Sequence, residues 1–393
     1  MFKPSKKSAY SQLCDFLPKA GIDYAANRNY DNGAGEHKNV SQLSPWLRLR
    51  MIPEWEVIRN VLERNNESGG AGKFIDEVCW RTYWKGWLQL RPEIWDDYLD
   101  ELEIQLNQWG NDKRYLSVIN GQSGIECMDA WTKELIQTGY LHNHSRMWYS
   151  SIWIHTLQLH WSLGAAFFLT HLFDGDAASN TLSWRWVAGL HTIGKTYLAR
   201  PGNVRKYTSN RFEVNEPLAE NPLKITAKPL PKPRLIPHLK KPQDGSKIGL
   251  LVQEDDLSAS DWISKEVEVH CVAGLFLKDN YKTHRIVDSV ADFRLTCLND
   301  TLGESTNCLE SIEASVLWAK QKELDAVVMA EIPIGLWNDS ISTLEYALRQ
   351  NGVELYFVRH WWDELLHPHT KAGFFRFKKA IPEALSKLTA STE

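Results

Sequence analysis

The sequence predicts a multidomain α and α/β chain, in which an all-helical part over residues 1–212 precedes a doubly wound α/β part over residues 247–393. Three observations carry the prediction. Apolar residues recur at spacings of three and four through the first half, with few runs of β-branched alternation. Seven prolines fall between Glu213 and Ser246, where they forbid regular helix or a central strand. Beyond them, apolar β-rich runs alternate with helical patterns, which suits strands covered on both faces by helices.

Local punctuation supports each element in turn. Ser44-Pro45 reads as a hydroxyl cap and first-turn proline before Trp46, Leu47 and Leu49. A helix is expected over Asp129–Tyr140, with Gly139 where a left-handed cap would lie. The stretch Arg146–Trp161 reads as one long helix, aromatic on several faces and so buried in a bundle. Residues 213–246 read as a linker. It is locally basic, with Lys224, Lys228, Lys232, Arg234, Lys240 and Lys241 following Arg200, Arg205, Lys206 and Arg211. Such a run serves either as a solvated spacer or as a strap on phosphates. Strands are expected within Lys247–Val252, Val267–Leu277, Leu324–Ala330 and Val353–Val358, and helices at Ile312–Lys320 and Ile341–Gln350.

Composition narrows the function classes. A chain of 393 residues that is 43% hydrophobic can fill two ordinary cores. The net charge of −4 gives no global sign of a nucleic-acid binder, so any basic footprint must be local. The six cysteines are scattered without metal-type spacing, as expected of reduced thiols in a cytoplasmic protein. No secretory signal pattern and no membrane-length apolar run is present. There is no GxGxxG or GxxxxGK[ST] fingerprint and no serine nucleophile elbow. His155 with His160, and His367 with His369, lack convergent partners, so no metal is expected. The 18 tryptophans stand out, most of them in the first half; for most, core packing is the expected role.

The densest signal lies between Thr138 and Trp186, in TGYLHNHSRM and LHWSLGAAFFLTHLFDGDAASNTLSWRW. Upstream stand RNYDNGAGEHKNVSQLSPWL and FIDEVCWRTYW. These strings, in mutual register, resemble the signatures of the photolyase and cryptochrome superfamily, and the resemblance covers essentially residues 8–200. It implies a helical FAD-binding domain with FAD as cofactor. Hydroxyls and free backbone N–H groups at a helix start suit an anionic diphosphate. Ser41, Leu43 through its backbone, and Ser44 would supply them, with Arg28 adding charge and Tyr24 a hydroxyl. For Ser44 a plain helix cap is the alternative.

The resemblance further implies an Arg146–Asp174 ion pair beside the flavin ring, Asp176 on the ring or ribityl edge, and Asn143 as an amide contact on the adenine or damaged-base side. Without the family, Asp174-Gly175-Asp176 would read as a loop or a metal site. Asn180 matches the neutral amide facing the flavin in photolyases, where plant cryptochromes typically carry an acid. Trp184, Trp161 and Trp109 match an electron-transfer chain running outward from the flavin. Trp80 and Trp186 match two indoles that sandwich an extruded cyclobutane dimer, Glu77 a carboxylate on the thymine edge, and Met147 an apolar contact.

The histidine pattern of (6-4) photolyases is missing from His142-Asn143 and Arg146-Met147. The implied activity is therefore blue-light repair of cyclobutane pyrimidine dimers, with UV-damaged DNA as partner, no membrane, and a monomeric state. A cryptochrome-like photoreceptor, and a flavoprotein with only redox or structural function, are the alternatives. Three departures stand out: His144 occupies a slot commonly arginine, the motif ending is replaced by GLHTIGKTYLARPGNVRKYTSNRF, and the α/β part follows the helical one. GVELYFVRHWWDELLHPHTKAGFFRFKKAIPEAL resembles the end of the family's antenna domain, so a permuted domain order is expected and a second chromophore is left open.

Overall fold

The computed structural model describes residues 2–65 and 70–390. Its first half is helical: α1 (Lys6–Phe16), α2 (Ile22–Asn27), α3 (Ser44–Arg48), α4 (Glu54–Asn65), α5 (Gly72–Gln89), α6 (Glu93–Trp109), α7 (Lys113–Ile119), α8 (Glu126–Thr138), α9 (Asn143–Ser151), α10 (Trp161–His171), α11 (Ala177–Val187) and α12 (Pro201–Tyr207). α5, α6, α9, α10 and α11 pack together around α11. α8 ends as its sequence predicts, with Gly139 at φ 66°, a left-handed cap that glycine adopts without a Cβ clash.

The expected single helix over Arg146–Trp161 does not form. α9 gives way to a π-turn over Ile152–Thr156, Gln158 takes φ 54°, and α10 starts afresh. There His160 Nδ1 accepts the Ser162 N–H. The break turns the chain so that α10 packs on α11. Gly164 permits the approach, because a Cβ there would lie 2.2 Å from the Trp184 ring.

Residues 212–247 contain no regular helix or strand, in keeping with their prolines. Their charges are partly used within the fold: Lys228 pairs with Asp97 at 2.6 Å and Arg234 with Glu93 at 2.5 Å, both on α6.

Five parallel strands follow, β1 (Ile248–Val252), β2 (Cys271–Leu275), β3 (Cys308–Leu309), β4 (Ala326–Ala330) and β5 (Glu354–Val358), in the order β3-β2-β1-β4-β5. β1 lies in register with both β2 (Gly249 opposite Cys271) and β4 (Ile248 opposite Ala326). The chain thus runs outward to one edge and returns to build the other, the doubly wound pattern. α13 (Ala259–Ile263), α14 (Lys278–Thr283), α15 (Asp288–Leu302), α16 (Ile312–Gln321) and α17 (Asn338–Arg349) form the connections, and α18 (Trp361–Leu366), α19 (Phe374–Phe377) and α20 (Ile381–Ala390) end the chain. The last three do not cover the sheet. α18 and α19 pack on α5, and α20 packs on α4.

The two halves meet through buried charge. Arg50, itself at φ 48°, pairs with Glu54 at 3.1 Å, Asp256 at 3.2 Å and Asp363 at 2.7 Å. Arg48 pairs with Asp255 at 2.6 Å and donates to the Glu254 carbonyl at 3.3 Å. Glu254, Asp255 and Asp256 follow directly on β1, the strand at which the winding direction switches. Trp362 Nε1 adds a bond to Thr82 Oγ1 at 2.9 Å.

Candidate functional site

A cavity of about 600 Å³ opens among α3, α5, α9 and α11, within the range of small-molecule and cofactor sites. Of the residues expected to hold a cofactor, Ser41, Leu43, Ser44, Asn143, Arg146, Asp174 and Asn180 line it. Of those expected to touch a substrate, Glu77, Trp80, Met147 and Trp186 line it as well, together with Trp184. They come from segments up to about 145 residues apart, and the fold brings them to one wall.

The ion pair at its centre is bidentate: Arg146 Nη1 donates to Asp174 Oδ1 at 3.0 Å and Nη2 to Oδ2 at 2.8 Å. Parallel bonds of this kind fix orientation as well as charge. Burial pushes the Asp174 carboxyl up, but Arg146, then Arg81, and a hydrogen bond from Ser44 hold it below the ordinary carboxylate range. Ser44 therefore serves Asp174. It does not cap α3, whose N-cap is Leu43 with no side-chain hydrogen bond.

Asn180 is nearly buried, and its Nδ2 donates to the Ala165 carbonyl at 2.7 Å. That commits the donor half of the amide and leaves Oδ1 as its acceptor. Glu77 sits 3.7 Å from Arg28. Burial pushes its carboxyl up, and Arg28 draws it partly back.

Some expected contacts are absent from the wall. Asp176 lies behind it, where its Oδ1 accepts the Ser179 N–H at 2.7 Å as the cap of α11 and its Oδ2 pairs with Arg81. Arg81, the last residue of the E-x-x-W-R string, does line the cavity; its place in that string was the available signal. Tyr24 packs edge-on to Phe16 and Phe74 in the core, and the Arg28 side chain is behind the wall, 3.7 Å from Glu77. His144 lies between the rings of Trp148 and Tyr207. Burial, then Arg28, push it down to about 4, so it is neutral where an arginine would be charged.

The three tryptophans of the expected relay do not stack on one another. Trp184 meets Phe168 at 5.1 Å and Trp153 at 6.0 Å. Trp161 meets Tyr98 at 5.7 Å and donates to Glu101 at 3.0 Å. Trp109 lies under the Arg114 guanidinium.

The two substrate-side indoles have different surroundings. Trp186 stacks on Tyr197 at 5.8 Å. Trp80 lies flat against Phe374 of α19, with centroids 3.8 Å apart and planes 8° from parallel, and the next residue, Phe375, also lines the cavity. Nothing in the motifs pointed to these phenylalanines, although the run FFRFKK mixes aromatic and basic residues as a surface contact would.

Among the described residues one group has the composition of a metal site: Asp31, His37 and Glu134, with candidate ligand atoms within 4.8 Å of one another. Asp31 already accepts from Gly33 N, Trp131 Nε1, Ser145 Oγ and Arg211, and His37 Nε2 lies 2.9 Å from Glu134. Carboxylate lone pairs filled in this way knit the 28–44 loop to α8 and α9.

The family that matches residues 74–212 is described as the FAD binding domain of DNA photolyase. The deoxyribodipyrimidine photo-lyase of Streptomyces griseus is 30% identical over 210 residues, which is 50% of this chain and 44% of that protein. The Vibrio cholerae enzyme of the same name is 27% identical over 192 residues, 48% of this chain and 40% of that one. A solved bacterial class III photolyase from Agrobacterium tumefaciens is 28% identical with a TM-score of 0.45, covering 52% of this chain and 43% of that chain. The chain spans less than half the length of these relatives.

The helical half is thus a flavin-binding domain, and its cofactor is FAD. Residues 74–212 match that domain family, and the relatives carry the photo-lyase name over about half of this chain. The cavity suits that cofactor on its own chemistry: it presents the Arg146–Asp174 pair, serine hydroxyls at the start of α3, and two buried polar atoms without a protein partner, Ser179 Oγ and His142 Nε2. Buried polar atoms normally find a partner, and a polar ligand would provide one. No described helix is long and apolar enough to cross a membrane.

Proposed function

We propose that this protein repairs cyclobutane pyrimidine dimers in DNA under blue light. The observation that carries the reading is the convergence of Glu77, Trp80, Asn143, Met147, Asn180 and Trp186 on the same cavity as the Arg146–Asp174 pair. Reduced FAD, when bound, supplies a light-excited electron donor to the dimer. The residues of this chain do the rest. Trp80 and Trp186 offer flat walls to an extruded dimer, which offsets its unstacking from the duplex. Glu77 reaches the pyrimidine edge; burial raises its carboxyl and Arg28 draws it partly back, and in its protonated form it donates to a carbonyl oxygen. Arg146 puts positive charge where negative charge develops, with Asp174 fixing its direction. Asn180 offers a neutral acceptor that adds no repulsion. Trp184, Trp161 and Trp109 carry electrons inward to reduce the cofactor. They act by hopping between indoles that need not touch. We also assign the order of the parts, helical residues 1–212, linker 213–246 and α/β residues 247–393, to a permuted form of the family's architecture.

A cryptochrome-like photoreceptor is the second reading, and one observation favours it: Phe374 already covers a face of Trp80. The test is anaerobic. Photoreduced protein is mixed with an oligonucleotide holding one thymine cyclobutane dimer and illuminated, and absorbance near the thymine maximum is followed. Recovery that is lost in Glu77→Ala supports repair; bound, photoreducible FAD without recovery favours the photoreceptor.

A further inference from the structure

The wall around the cavity mouth is completed from outside the matched helical region, by the C-terminal segment 371–380. Its anchoring is extensive. Tyr83 Oη donates to the Ala372 carbonyl at 2.9 Å, Arg91 donates to the Lys371 carbonyl at 2.8 Å, and Lys378 pairs with Asp76 at 2.5 Å. Gly86 lets the preceding turn approach α5, since a Cβ there would lie 2.7 Å from His367. Phe374 and Phe377 are buried, so helical geometry turns the two residues between them, Phe375 and Arg376, outward. Phe375 is 85% exposed, yet it lines the cavity with Trp80 and Trp186.

An exposed phenyl ring adds nothing to the core, and the charges beside it are of one sign. Lys371, Arg376 and Lys379 are exposed, and among the described residues no carboxylate pairs with any of them. A flat ring flanked by free cations is how proteins hold a nucleic-acid strand: the ring takes a base face and the cations take phosphates.

We propose that Phe375 stacks on a nucleobase at the cavity mouth while Lys371, Arg376 and Lys379 contact the strand's phosphates, so that the C-terminal segment forms part of the DNA interface. The occupant is a DNA strand rather than a peptide or a second copy of the chain, because every charge the segment itself carries is positive and three of its four cations have no carboxylate partner among the described residues. The inference rests on the DNA-repair reading and names the surface which that reading needs.

The test is the affinity of the FAD-loaded protein for a labelled oligonucleotide with one thymine dimer, measured by anisotropy across a salt series. Phe375→Ala should weaken binding about tenfold with its salt dependence unchanged, and Phe375→Trp should restore it. Arg376→Ala or Lys379→Ala should lower the salt slope by about one. Unchanged flavin content in each variant shows the fold to be intact. If wild type prefers the dimer and Phe375→Ala binds equally well, this inference alone falls; if wild type does not bind the dimer, the repair reading falls with it.

Discussion

Two arginine-centred clusters show how the same chemistry serves two ends. At the cavity, Arg146 has one bidentate carboxylate partner, Asp174, and lies on the wall of an open space. At the junction of the halves, Arg50 is shared among Glu54, Asp256 and Asp363, which come from three separate parts of the chain. A buried guanidinium with its carboxylates supplied from distant segments acts as a fastener. One with a single partner and a void beside it is arranged to meet something that arrives later. Partner count and adjacent space separate the two roles, since charge alone does not.

The comparison can be broken most severely at the junction. Arg50→Ala leaves three carboxylates without their counter-charge and should destabilise the protein by about 4 kcal/mol in urea unfolding. Asp174→Ala should cost less, about 2–3 kcal/mol, because Arg146 retains 23% side-chain exposure and so some hydration. Its distinguishing effect is loss of bound flavin, read from the visible absorbance of the purified protein; Arg50→Ala should keep flavin for as long as it stays folded.

Smaller effects sharpen the account of the wall. Phe374→Leu keeps apolar volume but removes the parallel stack on Trp80, and should lower stability by about 1 kcal/mol. Faster repair in that variant would mean that the phenyl ring competes with the dimer for Trp80; slower repair would mean that it braces the indole. Glu77 gives the gentlest handle, through pH. Its folded pKa is raised, so its contribution to stability is present at acid pH and is lost as pH rises through that value. Dimer affinity should fall over the same interval as the carboxyl loses its proton, and Glu77→Gln, which keeps a donor, should flatten the profile.

The residues that line the cavity were legible through the family resemblance, which is carried by short strings whose internal spacing survives folding. Glu77 and Trp80 sit one helical turn apart on α5, and Asn180, Trp184 and Trp186 share α11. Four strands of the sheet were legible from their apolar runs, while β3, only two residues long, was not. The interruption of Arg146–Trp161 was not, because neither Gly nor Pro marks Gln158, which takes a left-handed backbone. The junction was not legible either: Arg50 and Asp363 are 313 residues apart, and nothing local says that an arginine after α3 will meet an acid from α18. The same distance hid Phe374 and Phe375, whose importance comes only from the indole that α5 presents to them. Asp176 keeps its motif position while capping α11 and pairing with Arg81, which its string does not announce.

The claim that one cavity holds both the flavin and the damaged base pair can be tested directly. The visible absorbance of oxidised, FAD-loaded protein would be recorded while adding an oligonucleotide with one thymine dimer, then its undamaged counterpart. The account predicts a saturable shift of the flavin band with the dimer only, abolished in Trp186→Ala. Tight binding of the dimer with an unchanged flavin spectrum would contradict it, because the lesion would then lie away from the cofactor.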